Sequence, residues 1–425
     1  MSELFRPTRR RVLGSLAAGG AALLCNALLP GCSASGSASS NQVELRFWNG
    51  FTGPDGQTML GIIKRFNDAN PDVHVITQRI QWRTYYNKLF VAGLGGRAPE
   101  VFVIHTDVLN RFARAKFVRC VDDLLGPGGL PADDFDPNVF HAVVRDGKHY
   151  AIPLDIHLMG MYYNRRLLDQ AHITAPPANR DEFIDSLHRL KGPNRWGFVF
   201  TWQRTNIYSV IRQNGGDLFT PDYSATTINS APVVEAVQFC ADLILKEKLA
   251  PSPEDFDSWI GFRQGKVGMC WEGIYMLPDL KKQTDLSYGA SPVPTLFKQP
   301  AAWCDSHNLC LRADLTGRKL EAAKRFVKYL SDNSLDWAAG GQIPVRKSLR
   351  QSPRFAQMYA QNEFARQIPY AAYMPSVPFV FEYQSEFDLA TEKALRGTES
   401  AKSALDTAAR NITKIIQRYK REDLS

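Results

Sequence analysis

Val43-Glu44-Leu45-Arg46-Phe47-Trp48 opens with apolar and polar residues in alternation, the period-two pattern of a strand with two unlike faces. Asn49 to Gly56 is a Gly/Pro turn, and Pro54 stands where a first helical turn begins. Met59, Ile62, Ile63 and Phe66 then fall on one helical face, and Asn67 to Pro71 stops that helix. Val73-His74-Val75-Ile76 predicts a second strand. Tyr85 to Leu94 predicts a second helix, ended by Gly95-Gly96, and Pro99 to Ile104 carries a third strand. Strand, helix, strand, helix, strand is the order of a βαβ sheet, so the fold class is α/β with parallel strands.

The same vocabulary returns further along. Gly147 to Leu154 is a hairpin-like turn running into a strand, and Met159 to Asn164 is another strand. Arg180 to Leu190 is helical. Pro232 to Lys248 is helical, with Val234, Val237, Ala241 and Ile244 on one face and the Ser230 hydroxyl placed to cap it. Gly265 to Cys270 is a short strand. Glu321 to Leu330 and about Ser400 to Tyr419 repeat the helical period, the latter through Leu405, Ala408, Ile412, Ile415 and Ile416. No internal repeat interrupts residues 43–425.

The chain of 425 residues suffices for two domains of ordinary size. At 44% hydrophobic and 22% charged it has a globular composition. The net charge is +8, of which Arg6, Arg9, Arg10 and Arg11 against Glu3 supply +3, leaving a mild +5 beyond residue 31. No dense basic run with interleaved aromatics is present, which argues against nucleic acid as partner.

Residues 1–31 read as an export signal. Thr8-Arg9-Arg10-Arg11-Val12-Leu13 is a charged region, and a short apolar stretch to Leu29 follows. The paired arginines point to the twin-arginine route for folded proteins. Leu29-Pro30-Gly31-Cys32 resembles a bacterial lipobox, which implies acylation of Cys32 and a lipid anchor in the membrane. The alternatives are an uncleaved anchor, or a general secretory signal with a chance cysteine. Residues 32–42 would be the lipidated cysteine and a Ser/Ala/Gly tether. Beyond them lie Cys120, Cys240, Cys270, Cys304 and Cys310, an odd number that forms no complete disulfide framework. Buried free thiols are the expectation for all five, with a Cys304–Cys310 bridge as the alternative.

The order of short motifs resembles family 1 extracellular solute-binding proteins of ABC importers, the group of the maltodextrin- and glycerol-phosphate-binding proteins. The motifs are Phe47-Trp48-Asn49-Gly50, Phe66-Asn67-x-x-Asn70-Pro71-Asp72-Val73 and Gly95-Gly96-Arg97-Ala98-Pro99-Glu100-Val101. Gly147-Lys148-x-Tyr150-x-Ile152-Pro153-Leu154, Tyr162-Tyr163-Asn164-Arg165 and Asn214-Gly215-Gly216 follow. Phe262-x-x-Gly265-Lys266-x-x-Met269, Pro292-x-Pro294 and Ile343-Pro344-Val345-Arg346-Lys347 complete the set, which spans nearly the whole chain beyond the signal. The resemblance implies a two-lobed, type II periplasmic-binding-protein fold. Each lobe would be a mixed sheet flanked by helices, with a ligand cleft between them. Three hinge crossings are expected, near Leu154–Gly160, Trp303–Leu309 and Gly341–Arg346. The N-terminal lobe would comprise 43–154 plus 308–342, the C-terminal lobe 155–303 plus 343–425. It further implies a monomer outside the cytoplasmic membrane, needing no cofactor, that delivers its solute to permease subunits driven by a cytoplasmic ATPase.

The aromatics favour a sugar as solute. A pyranose offers flat C–H faces to aromatic rings and hydroxyls to Asp, Glu, Arg or His. The chain is 11% aromatic with 8 Trp, and several fall at strand ends or crossings, where open α/β sheets bind ligands. Trp48 ends the first strand; Trp82 follows the second; His105 follows the third. Asp155 and His157 mark the first crossing, Trp303 and Asp305 the second, Arg346 the third. Trp202 lies in a loop, Glu272 and Tyr275 follow the Met269 strand, and Tyr383 follows Pro375 and Pro378. Each also has a bland reading, as core aromatic, turn cap or ion-pair partner; Trp196, Trp259 and Trp337 are read as structural. Arg204 with Arg346 would suit a phosphate or carboxylate, which keeps a glycerol-phosphate-type or other anionic solute as the alternative. A sensory subunit would use the same fold. An exported glycoside hydrolase would need two carboxylates, for which Asp155 and Glu272 are the candidates, but G-x-S-x-G, H-E-x-x-H and Walker motifs are absent. Asp133-Asp134-x-Asp136 lacks the Gly and distal Glu of a calcium loop, so no metal is expected there.

Overall fold

A computed structural model describes residues 42–423 apart from Pro54, Thr201 and Trp202. The export signal, Cys32, the tether to residue 41 and the Trp202 ring lie outside the described residues. Strand β1 (Val43–Asn49), helix α1 (Gly56–Ala69), strand β2 (Val73–Arg79), helix α2 (Trp82–Leu94) and strand β3 (Val101–His105) follow in the order the pattern predicts. Helix α3 (Thr106–Arg114) leaves β3 directly. β1 lies between β2 and β3, parallel to both. Alternate residues of β3 serve opposite faces. Val101 and Val103 join Leu45, Phe47 and the α1 residues Met59, Ile62 and Phe66 in one core. Phe102 and Ile104 join Trp48, Tyr85 and Leu89 in another. A sheet covered by helices on both faces needs this double burial.

The remaining strands of the two larger sheets, in chain order, are β4 (Ile152–Pro153), β5 (Asp155–Asn164), β6 (Met269–Gly273) and β7 (Tyr288–Ser291). β8 (Ala302–Asp305), β9 (His307–Leu311), β10 (Ile343–Pro344) and β11 (Ala371–Tyr373) follow. One sheet has the order β2-β1-β3-β9-β4. The other has the order β10-β5-β8-β11, with β6 and β7 paired to the far half of β5. Parallel and antiparallel pairs occur in both, so the architecture is the implied one of two mixed sheets flanked by helices. The chain changes sheet at Leu154, between β4 and β5, and again at Ser306, between β8 and β9. A third passage runs from β9 through the helix Gly317–Asp332 to β10.

Several local expectations are corrected. The helix Ala231–Leu245 starts after Ser230 as predicted, but the Ser230 hydroxyl makes no cap bond. Gly265 takes a left-handed φ of +68° and closes a turn, so the strand begins only at Met269. Gln203 and Arg204 open the helix Gln203–Gln213, so the loop predicted over Thr201-Trp202-Gln203 ends before Gln203, and Tyr383 lies inside the helix Val380–Arg396. All five described cysteines are free thiols, Cys304 and Cys310 standing on different sheets. Cys120 is not buried: it is partly exposed, and its thiol donates to Asp122 at 3.0 Å.

Candidate functional site

The candidate site forms where the two sheets meet. β3 ends at His105, and His307, the first residue of β9, stands directly across from it in the antiparallel ladder. Asp155 and His157 open β5, two residues apart and therefore on one face. His157 is opposite Asp305 of β8. These pairings bring three imidazoles together, with ring centroids 4.3 Å (His157–His307), 5.0 Å (His105–His307) and 5.4 Å (His105–His157) apart.

Aromatic rings surround the histidines. Trp82, at the start of α2, lies 4.3 Å from the His105 ring and stacks on His307 at 5.7 Å and 14°. Phe51 meets His307 edge-on at 4.8 Å. Tyr275 and Trp303 approach His157 at 6.2 and 5.8 Å. Trp82, Tyr275 and Trp303 are only partly buried, so each keeps ring surface to offer. Two glycines make room for this. A Cβ on Gly50 would lie 2.1 Å from the Trp82 indole, and one on Gly273 would lie 2.0 Å from the Tyr275 ring.

Asp155 holds the cluster from beneath. Its fully buried carboxylate accepts from His307 Nδ1 at 2.7 Å, the His307 amide at 3.1 Å, His157 Nδ1 at 3.2 Å and Trp337 Nε1 at 2.5 Å. Burial alone would raise its pKa, but the His307 and His157 rings hold it well below the usual carboxylate range. Burial, aided by His307, pushes His157 down to about 4, and burial with the other two rings pushes His105 well below its ordinary value. Both are therefore neutral at physiological pH, and a neutral imidazole can give one hydrogen bond and take another. Asp305 has a different task. Its carboxylate accepts from the amides of Thr106 and Ser306 at 2.8 and 2.7 Å, capping α3 from the neighbouring strand. Burial and the nearby Asp107 raise its pKa well above the normal range.

The predicted residues thus divide. Trp82, His105, Asp155, Tyr275, Trp303 and Asp305 come together. Glu272 is buried on β6, close enough that its charge, after burial, helps keep the Tyr275 phenol protonated. Trp48 does not join them. It is turned beneath α2, where Lys88 sits over its ring at 5.2 Å. There it lines a surface groove of about 840 Å³ with Arg46, Asn87 and Arg97 that shares no residue with the histidine cluster. Arg346 pairs with Asp134 at 2.5 Å and Asp332 at 3.3 Å, the role of an ion-pair partner. Tyr383 is fully buried and donates to the Pro375 carbonyl at 2.9 Å. Arg204 is held by both carboxylate oxygens of Asp388 and by Gln384. His307 and Phe51 were missed by sequence reading. His307 falls inside the predicted second crossing, and that position was the available signal.

Two helix-flanked sheets thus exchange the chain and bring partly buried aromatic rings and three imidazoles together at their junction. The chain belongs to the family described as bacterial extracellular solute-binding protein, whose model matches residues 51–334. That family is one of binding proteins, not enzymes. Among curated relatives, the maltotriose-binding protein of Pyrococcus abyssi is 22% identical over 89% of this chain and 81% of its own length. The diacetylchitobiose binding protein DasA of Streptomyces coelicolor is 27% identical over 64% of this chain and 66% of its own. The solved GacH receptor of Streptomyces glaucescens, studied unliganded and with acarbose, superposes with a TM-score of 0.80 at 21% identity, covering 88% of this chain and 99% of that one. Among the described residues no helix is long and apolar enough to cross a membrane.

Proposed function

We propose that the protein captures a mono- or oligosaccharide outside the cytoplasmic membrane and delivers it to the permease of an ABC importer. The observation that carries this reading is the gathering of Trp82, Tyr275 and Trp303 around His105, His157 and His307. Rings take the C–H faces of a pyranose, and the neutral imidazoles of His105 and His157 can hydrogen-bond to its hydroxyls. Relatives that bind maltotriose and diacetylchitobiose support the same class. An anionic solute is less well served, because Arg204 and Arg346 are already engaged by carboxylates. Asp155, enclosed by four donors, is likewise unsuited to the acid–base work of a hydrolase.

Segments 43–154 with 308–342, and 155–303 with 343–425, act as the two lobes, hinged at the passages between the sheets. Cys32 carries the lipid that keeps the receptor at the membrane, after export directed by the paired arginines. Calorimetric titration of the purified protein with maltotriose, diacetylchitobiose, arabinooligosaccharides and glycerol 3-phosphate tests the solute class. Saturable one-to-one binding of a neutral saccharide is expected; binding of the phosphate alone would move the assignment to an anionic solute. Mass spectrometry of the N-terminus in cells tests the anchor, since an unmodified Cys32 would contradict it.

A further inference from the structure

The three imidazoles are arranged for more than hydrogen bonding to a sugar. One ring nitrogen from each of His105, His157 and His307 lies within 4.8 Å of the other two, the one such convergence of His, Cys, Asp or Glu among the described residues. In each ring the Nδ1 side is already engaged. His307 and His157 both point Nδ1 at Asp155, at 2.7 and 3.2 Å. With Nδ1 directed to the carboxylate, Nε2 is the nitrogen that each of the two rings can present to a metal ion. His105 places Nδ1 2.5 Å from the Tyr86 hydroxyl, whose oxygen can accept a hydrogen bond from it. A histidine that donates one nitrogen to a carboxylate or other oxygen, with the second left bare, is how metal-ligating histidines are held. Asp155 is itself fixed by Trp337 Nε1 and the His307 amide, so the support for two of the rings is rigid.

The packing limits what the rings can do. Trp82 and Phe51 lie against His307, and Trp82 also covers His105, so the rings have little freedom to turn away from one another. A spacing of up to 4.8 Å is wider than the roughly 3.3 Å between nitrogens bound 2.0–2.1 Å from a tetrahedral zinc, so binding draws the three rings inward. Three imidazole nitrogens suit zinc and its neighbours in the first transition row, and leave a coordination position for water or another ligand.

We propose that His105, His157 and His307 bind one divalent transition-metal ion of the zinc class. His105 and His307 belong to one sheet and His157 to the other, so the ion ties the two sheets together at the point where they exchange the chain. The ion and the sugar reading draw on the same three imidazoles, so zinc binding is measured without saccharide and saccharide binding without the ion.

The test is calorimetric titration of chelator-treated protein, purified without a histidine tag, with zinc chloride. Cobalt(II) absorption is read in parallel, and saccharide binding is measured separately in the presence of EDTA. One equivalent of zinc at micromolar affinity or better is expected, with visible cobalt bands of a nitrogen-rich, low-coordinate site. His157→Gln, His105→Gln and His307→Gln, checked for folding by circular dichroism, should each weaken zinc by about a hundredfold. Absence of stoichiometric zinc binding to the unaltered protein, or undiminished binding in all three variants, would overturn the proposal. Loss of saccharide binding alone would bear only on the sugar reading.

Discussion

Asp155 and Asp305 look alike in sequence, two acids at two chain crossings, and the structure gives them unlike tasks. Asp155 is the acceptor on which two histidines and Trp337 are oriented, whereas Asp305 caps a helix from a neighbouring strand. Sequence showed that polar groups lie at the crossings; which donor each carboxylate meets depends on strands brought together from distant parts of the chain. His307 went unread for the same reason, since only the β3–β9 ladder places it opposite His105. Trp337→Phe removes one charged hydrogen bond to a buried carboxylate. It should lower stability by about 1–3 kcal/mol in urea denaturation. Trp82→Ala removes a stacking ring and should weaken saccharide binding about tenfold, roughly 1.4 kcal/mol, by calorimetry. An unchanged dissociation constant would remove Trp82 from the site.

Elements were easiest to read where a single period runs long. α1 buries Met59, Ile62, Ile63 and Phe66, the face its spacing predicts. Boundaries were harder, because turns depend on backbone angles and close approaches that composition only hints at. The Phe47-Trp48-Asn49-Gly50 segment shows this. Alternation turns Phe47 and Trp48 to opposite faces, so Trp48 packs under α2, and the indole that stands at the histidine cluster is that of Trp82, lying over Gly50. Gly50→Ala should therefore displace the indole, changing tryptophan fluorescence and weakening ligand even though no side chain in contact with it is removed. The helix Val380–Arg396 makes the converse case, for Tyr383, a candidate ligand residue from its place after Pro375 and Pro378, stands buried on a helical turn. Tyr383→Ala should cost roughly 3–5 kcal/mol of stability as a large-to-small core change, yet leave ligand affinity in the surviving folded protein nearly intact.

At the scale of the molecule, the α/β class and the family were legible because they rest on the order of many short motifs. The junction chemistry was only half legible, because it is assembled by two sheets exchanging one chain. The first sheet is also tied at the far end of its central strands by Glu100, whose buried carboxylate meets Arg46 at 2.9 Å, Arg312 at 3.3 Å and Lys319 at 3.4 Å. Burial would raise its pKa, but Arg46 and the other cations lower it from 4.5 to about 2. A folded-state pKa below the unfolded one gives stability that is complete above about 4.5 and lost as the pH falls toward about 2. Glu100→Gln should flatten the acid limb of the stability profile in that window, read by denaturant titration at a series of pH values.

The central claim is that the molecule is a receptor for a saccharide and leaves it unaltered. Thermal denaturation of the purified protein against a panel of mono- and oligosaccharides, polyols, glycerol phosphates and amino acids, with chromatography of each sugar afterwards, tests it most directly. Ligand that binds only the folded state adds about 2.7 kcal/mol at a hundred times its Kd. The account predicts a concentration-dependent rise in Tm with one class of saccharide, and that saccharide recovered intact. No rise with any saccharide, or consumption of the one that binds, would contradict it.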